Sequence, residues 1–153
     1  MIIIGAKGFA KEVLEIFNQR NETHSIYFFD NVSDSVPEKL YNQFDVLKDI
    51  EQVKKLFIEK DNKFVIGVGG PQNRYNLAHL FESIGGKVCS IVSPFAHIGH
   101  YNTSYEDGCC IMTGTIITND VKIGRCCLIN LDCTIGHDTI IGNYCEFSPS
   151  ANI

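Results

Sequence analysis

The side chains of this sequence that are equipped for chemistry fall in three places. His137 stands in Ile135-Gly136-His137-Asp138. An imidazole titrates near neutrality and serves as a general base, and a carboxylate beside it holds the tautomer and raises its basicity. The plainer alternative is a surface His beside a surface Asp with no role. Near the start, Gly5-Ala6-Lys7-Gly8-Phe9 follows an apolar run and opens a helical pattern. Glycines there let backbone approach a phosphate, and the helix N-terminus supplies N–H groups and positive potential, although a tight turn explains the same glycines. Asp30-Asn31 ends a second apolar run and Gly69-Gly70-Pro71-Gln72-Asn73-Arg74 a third. An acid at a strand end is where α/β nucleotide binders meet a ribose or base. The complete GxGxxG is absent, which disfavours a dinucleotide site and an NAD-dependent oxidoreductase.

Strand and helix must alternate to position the second and third of these sets. The patterns predict strands at residues 2–4, Ser25–Phe29, Lys63–Val68 and Lys87–Val92, and a helix with Val13, Leu14, Ile16 and Phe17 on one face. They also predict a loop over Val32–Tyr41, a charged helix over Val46–Glu59, and a helix over Gln72–Ser83 burying Leu77, Leu80 and Phe81. Pro71 suits the first turn of that last helix. Alternation of this kind gives a parallel sheet with helices on its faces and ligands at the carboxyl ends of the strands.

His137 belongs to a different pattern. Every sixth residue from Ile111 is large and apolar: Ile111, Ile117, Ile123, Ile129, Ile135, Ile141, Phe147 and Ile153. Four places after each of the first seven stands a small or β-branched residue: Thr115, Val121, Cys127, Cys133, Thr139, Cys145 and Ala151. A period of six fits neither a helix nor a long strand; it fits a parallel β-helix of hexapeptide repeats that turns a corner every sixth residue. A sandwich of short strands would alternate with period two. The phase reaches back through Val92, Ala96 and Ile98, with one extra residue before Tyr105 and so a bulge near Asn102 to Ser104. Gly124, Gly136 and Gly142 are expected at the tight bends. His137 lies off both inward registers and points outward, while His97 and His100 read as solvated and His24 and His79 as remote from any site. The division expected is residues 1–90 and 91–153.

The net charge of −5 and a pI near 5.5 argue against nucleic acid or an anionic membrane as partner. The opening MIIIGAKGF is too short to span a membrane and has no charged leader or cleavage site, so a cytoplasmic protein is expected. Seven cysteines include four on the small-residue register, where they act as small buried hydrophobes, and three off it: Cys89, Cys110 and Cys126. No CxxC pair or Cys/His cluster at zinc spacing occurs, and no metal is expected.

Taken in order, IIIGAKGFAKEV, FFDN, IGVGGPQNR, SPFAHIG and NLDCTIGHDTIIGNYCEFSP resemble, from end to end, the bacterial sugar acyltransferases of the sialic-acid O-acetyltransferase and bacillosamine N-acetyltransferase type. The resemblance implies an N-terminal Rossmann-like domain that binds a nucleotide sugar and a C-terminal left-handed β-helix. It also implies a homotrimer with acetyl-CoA between neighbouring helices, and a place in the making of cell-surface polysaccharide. It makes His137 the general base and Asp138 the acid that raises its basicity, with Asn130 near the reacting groups. Lys7, Gly8, Phe9, Asp30, Asn31 and Gly69 match segments that hold the nucleotide. Many relatives have His at the position of Phe9. Where relatives carry a second His that contacts acetyl-CoA, nine residues after the base, this chain has Glu146. Relatives continue for several coils past the position of Ile153, so a truncated chain is expected. Glu146 and the missing coils motivate the alternative of a non-catalytic nucleotide-sugar-binding or trimerisation module that no longer binds cofactor.

Overall fold

The computed structural model describes residues 1–153. In chain order come β1 (Ile2–Ile4), α1 (Gly8–Gln19), β2 (Tyr27–Phe29), β3 (Lys39–Leu40), β4 (Phe44–Leu47), α2 (Ile50–Glu59), β5 (Lys63–Ile66), α3 (Pro71–Ser83) and β6 (Lys87–Val88). They form one six-stranded sheet in the order β3-β4-β2-β1-β5-β6, parallel throughout except for the antiparallel β3–β4 pair. Alternate residues of each strand face opposite ways. Ile3, Phe28, Val46 and Val65 pack beneath α1, whereas Ile2, Ile4, Phe29, Phe64 and Ile66 pack beneath α2 and α3.

Four local expectations change, the first being the strand expected over Lys87–Val92, which breaks at Cys89–Ser90 so that β6 stays in the sheet and Ile91–Val92 leaves it. Val46 lies in β4, paired with Phe28, and α2 begins only at Ile50. Asp49 is extended there and caps the helix: its carboxylate accepts from Glu51 N at 3.0 Å, and Gln52 Oε1 accepts from Asp49 N at 3.2 Å. That reciprocal cap fixes the start four residues later than hydrophobicity suggests. The stretch expected as a loop also contains β3. On α3 the buried residues are Arg74, Ala78 and Phe81, and Leu80 is 47 % exposed. The spacing of four and three selects this face, and a guanidinium with enough acceptors can occupy it.

After β6 the chain leaves the sheet and winds. β7 (Ile91–Val92), β8 (His97–Ile98), β9 (Ser104–Tyr105), β10 (Cys110–Ile111), β11 (Ile116–Ile117), β12 (Lys122–Ile123), β13 (Leu128–Ile129), β14 (Thr134–Ile135), β15 (Ile140–Ile141) and β16 (Glu146–Phe147) begin six residues apart, with seven between β8 and β9. Every third strand pairs in parallel, giving the stacks β7-β10-β13-β16, β8-β11-β14 and β9-β12-β15. This is a short parallel β-helix of three coils and the start of a fourth. Its interior holds Ile111, Ile117, Ile123, Ile129, Ile135 and Ile141 with Cys109, Val121, Cys127 and Cys133.

The bends differ from the expectation. Gly124, Gly136 and Gly142 are not left-handed; φ is positive instead at Asn102, Gly108, Gly114, Asp120, Cys126, Asp132, Asp138, Tyr144 and Ser150, again every sixth residue. The corner therefore turns two residues after the glycine. Gly124 is needed for space, since a Cβ there would overlap Asn143 Oδ1 and stand 2.8 Å from the Gly142 carbonyl carbon.

The first stack joins the coil to the sheet. Its outward row reads Ile91, Cys110, Leu128 and Glu146, and the first three are buried in the core beneath α1. Arg74 ties the junction from the other side. It is 0 % exposed, and its guanidinium donates to the carbonyls of Ile66 (3.1 Å) and Val68 (3.1 Å) from the sheet, and to Gly108 (3.0 Å), Cys126 (2.7 Å) and Cys127 (3.4 Å) from the coil. No helix is long and apolar enough to cross a membrane.

Candidate functional site

A cavity of about 490 Å³ opens at the carboxyl ends of β1, β2 and β5. Gly5, with φ +105°, makes the turn that leads into it; a Cβ at Gly5 would stand 2.7 Å from Val68 Cγ2 and 2.8 Å from Gly67 O, so only glycine fits. Lys7 is extended at the N-cap of α1, and its side chain makes no capping bond and is free to meet a ligand. Asp30 is 9 % exposed at the end of β2, and its Oδ1 accepts from Val32 N (3.1 Å) and Ser33 N (2.9 Å). Both of these bonds use one oxygen, which leaves the other for the cavity.

The structure brings Lys7, Phe9, Asp30, Asn31 and Gly69 together on this one cavity. Gly8 is not on the wall, and a Cβ there would touch nothing within 4 Å, so no steric demand requires glycine at this position. Asn73, in the candidate segment Gly69–Arg74, is also on the wall, whereas reading the sequence missed Val68, Asn76 and Leu77. Helical spacing was the available signal: Asn73, Asn76 and Leu77 fall three and four apart, beside the buried Arg74–Ala78–Phe81 row. Asn73 Nδ2 also donates to Gly69 O at 3.1 Å, closing the loop that α3 starts from.

The remaining residues lie on the coil. Asn130 is half-buried after β13, its Oδ1 accepting from Leu131 N at 2.8 Å, and it is not on the cavity wall. His137 and Asp138 sit between β14 and β15 with side chains 81 % and 77 % exposed, and Nδ1 of the imidazole meets Asp138 Oδ2 at 2.7 Å. If Nδ1 carries the proton and donates it, Nε2 is left as an acceptor facing solvent. This pair occupies the edge between the second and third stacks, whereas the sheet domain covers the first. Within one chain the imidazole and the cavity therefore do not converge.

Glu146 lies against one residue of the cavity wall, Gly69. It is exposed on β16; its Oε2 accepts from Gly70 N, and the carboxylate lies against Gly69, where a Cβ would be 3.1 Å from Oε1. A larger hollow of about 630 Å³ between α3, β6 and the coil collects none of the expected residues. Its Arg125 is already paired with Glu82 at 2.6 Å. No cluster of three or more His, Cys, Asp or Glu side chains gathers in a way that would hold a metal ion.

Comparison with solved structures agrees with this architecture. A mutant of perosamine N-acetyltransferase from Caulobacter crescentus, in complex with CoA and GDP-perosamine, superposes with a TM-score of 0.82 at 23 % identity, covering 97 % of this chain and 68 % of that one. The acetyltransferase domain of PglB from Neisseria gonorrhoeae, in complex with acetyl coenzyme A, gives 0.84 at 20 % identity over 99 % and 71 %. WeeI from Acinetobacter baumannii AYE gives 0.84 at 26 % identity over 99 % and 71 %. No curated protein matches the chain in sequence. Residues 1–81, just over half of the chain, match the PglD N-terminal domain, and the chain belongs to that family.

Proposed function

We propose that this protein is an acetyl-CoA-dependent acetyltransferase acting on an amine or hydroxyl of a nucleotide-activated sugar. Residues 1–90 hold the nucleotide sugar and residues 91–153 form a left-handed coil of hexapeptide repeats that carries the base. The observation that bears most weight is the pairing, in one chain, of a cavity at the strand ends with an outward His–Asp couple on a rigid coil. The neighbours found with CoA, acetyl coenzyme A or GDP-perosamine support the same reading.

In this reading Asp30 meets the nucleoside, and Lys7 with the first N–H groups of α1 meets the phosphates. His137 Nε2 takes the proton as the acceptor nitrogen or oxygen attacks the thioester carbonyl. The C–S bond then breaks, and the thiolate of CoA leaves and takes up a proton. In this reading the protein is a cytoplasmic homotrimer that uses no metal, and the separation of His137 from its own cavity supports the imidazole of one copy serving the cavity of the next. Asn130 is placed near the reacting groups by the family resemblance alone.

The test is acetyl transfer from acetyl-CoA to GDP- and UDP-linked amino sugars by the parent and by His137→Ala. The variant is expected to lose roughly 100- to 10,000-fold in kcat with the nucleotide's Kd unchanged. Equal activity would remove His137 from the chemistry. Nucleotide binding by a parent that binds no acetyl-CoA would favour the non-catalytic module instead.

A further inference from the structure

Two helices begin beside the cavity: α1 with its N-cap Lys7 on the wall, and α3 with its N-cap Gly70 directly after the wall residue Gly69. They differ in what already sits there. At α1 stands a cation whose side chain makes no capping bond. At α3 the Gly70 N–H is taken by Glu146, a residue 76 positions away that the coil delivers. The row that carries it explains the delivery: Ile91, Cys110 and Leu128 are buried beneath the sheet domain, and at the fourth rung, beside Gly69 on the cavity wall, the row changes to an acid. A carboxylate at that point cancels the positive potential of α3 and repels a phosphate. The cavity thus carries Lys7 and Asp30 on its wall, with the Glu146 carboxylate standing just outside it against Gly69.

We propose that Glu146 determines acceptor specificity: its carboxylate, held by Gly70, takes the cationic amine of a nucleotide-linked amino sugar whose phosphates lie at Lys7 and the start of α1. This rests on the nucleotide-sugar reading above and adds to it a choice of amine over hydroxyl. Oε2 is engaged by Gly70 and Oε1 has no protein partner, so Oε1 is the oxygen that meets the ligand. An ammonium gives it a charge-assisted hydrogen bond, roughly twice as strong as the one a neutral hydroxyl gives. Discrimination comes from charge: the bound ammonium first gives up one proton to solvent to become the nucleophilic amine, and His137 of the neighbouring copy takes the second as the nitrogen attacks.

The experiment is calorimetric titration of the parent, Glu146→Gln and Glu146→Ala with GDP-perosamine, with the same nucleotide sugar carrying hydroxyl in place of the amine, and with GDP; the uridine series is run in parallel. The glutamine variant keeps an acceptor for Gly70 N and loses only the charge. The parent is expected to favour the amine about tenfold or more at neutral pH, and the preference to shrink as pH rises through the amine's own pKa. Both variants are expected to bind amine and hydroxyl forms within about threefold of each other, with affinity for the bare nucleoside diphosphate unchanged. An amine preference that survives Glu146→Gln overturns the role of Glu146 while leaving the nucleotide site standing. Failure of the parent to bind either nucleoside diphosphate overturns the nucleotide-sugar reading, and this proposal falls with it.

Discussion

Two separable demands fall on Asp138. Its φ of +61° puts it in the left-handed region, where Asp and Asn are tolerated better than other residues with a side chain. Its carboxylate also meets His137 Nδ1 at 2.7 Å. Asp138→Asn keeps the backbone preference and removes the charge, so unfolding by denaturant should move by less than about 0.5 kcal/mol while acetyl transfer falls at least about tenfold. Asp138→Ala should lose activity and about 1 kcal/mol of stability together. If the asparagine variant keeps full activity, the residue is a corner and nothing more. Arg74 poses the opposite problem, a buried charge with no carboxylate near it. Five carbonyls satisfy the guanidinium, and each bond is worth about 1 kcal/mol net, whereas Met in its place would leave those carbonyls facing apolar carbon. Desolvation of the charge is recovered in that variant, so the net cost expected for Arg74→Met is about 2–4 kcal/mol by urea unfolding. No loss would mean that water or other donors replace the guanidinium.

At the scale of elements, the coil's geometry follows one rule: a left-handed residue every sixth position from Asn102 to Ser150. Asx, Gly or Ser fills all of these except Cys126 and Tyr144, which are held by packing, Cys126 beneath α3 and Tyr144 against the Tyr75 ring at 5.2 Å. Gly114 has φ +78°, and a Cβ there would overlap Asp132 Oδ1. Gly114→Ala should therefore cost roughly 2 kcal/mol, while Asp120→Gly, at an exposed corner, should stay within about 0.5 kcal/mol; thermal unfolding of the two variants checks the contrast. The coil was legible because its period is unlike that of any helix or open sheet and because both inward rows stay in phase. Its corners were misplaced by two residues because glycine serves two purposes, conformational at Gly114 and spatial at Gly124, and a sequence does not distinguish them. β3 and the late start of α2 were hidden for another reason. A two-residue strand has no periodicity, and Asp49 stops the helix through hydrogen bonds rather than hydrophobic pattern.

For the whole molecule, what the sequence left out is how far-apart residues meet. The cavity's strand-end residues were readable because parallel sheets place ligands there by topology, and Lys7, Asp30 and Gly69 do share one wall. The contact of Glu146 with Gly70 and the bonds from Arg74 to the coil depend on how the first stack lies against the sheet, which no local pattern encodes. The same docking leaves His137 on the far edge, between the second and third stacks. On the proposed reading one chain holds two half-sites, and that reading makes a prediction about assemblies. Co-expressed His137→Ala and Lys7→Glu chains each lack one half, yet in a mixed closed ring some junctions unite an intact cavity with an intact imidazole. With random mixing of equal amounts, about a quarter of the junctions qualify, so acetyl transfer should recover to about a quarter of the parental rate although each variant alone is inactive. If mixed oligomers form, as separation by differential tagging would establish, and activity stays absent, then imidazole and cavity belong to the same copy or the imidazole is not the base. Recovery would place the reacting bond between subunits, where the coil of one chain supplies the proton acceptor and the sheet of another holds the sugar.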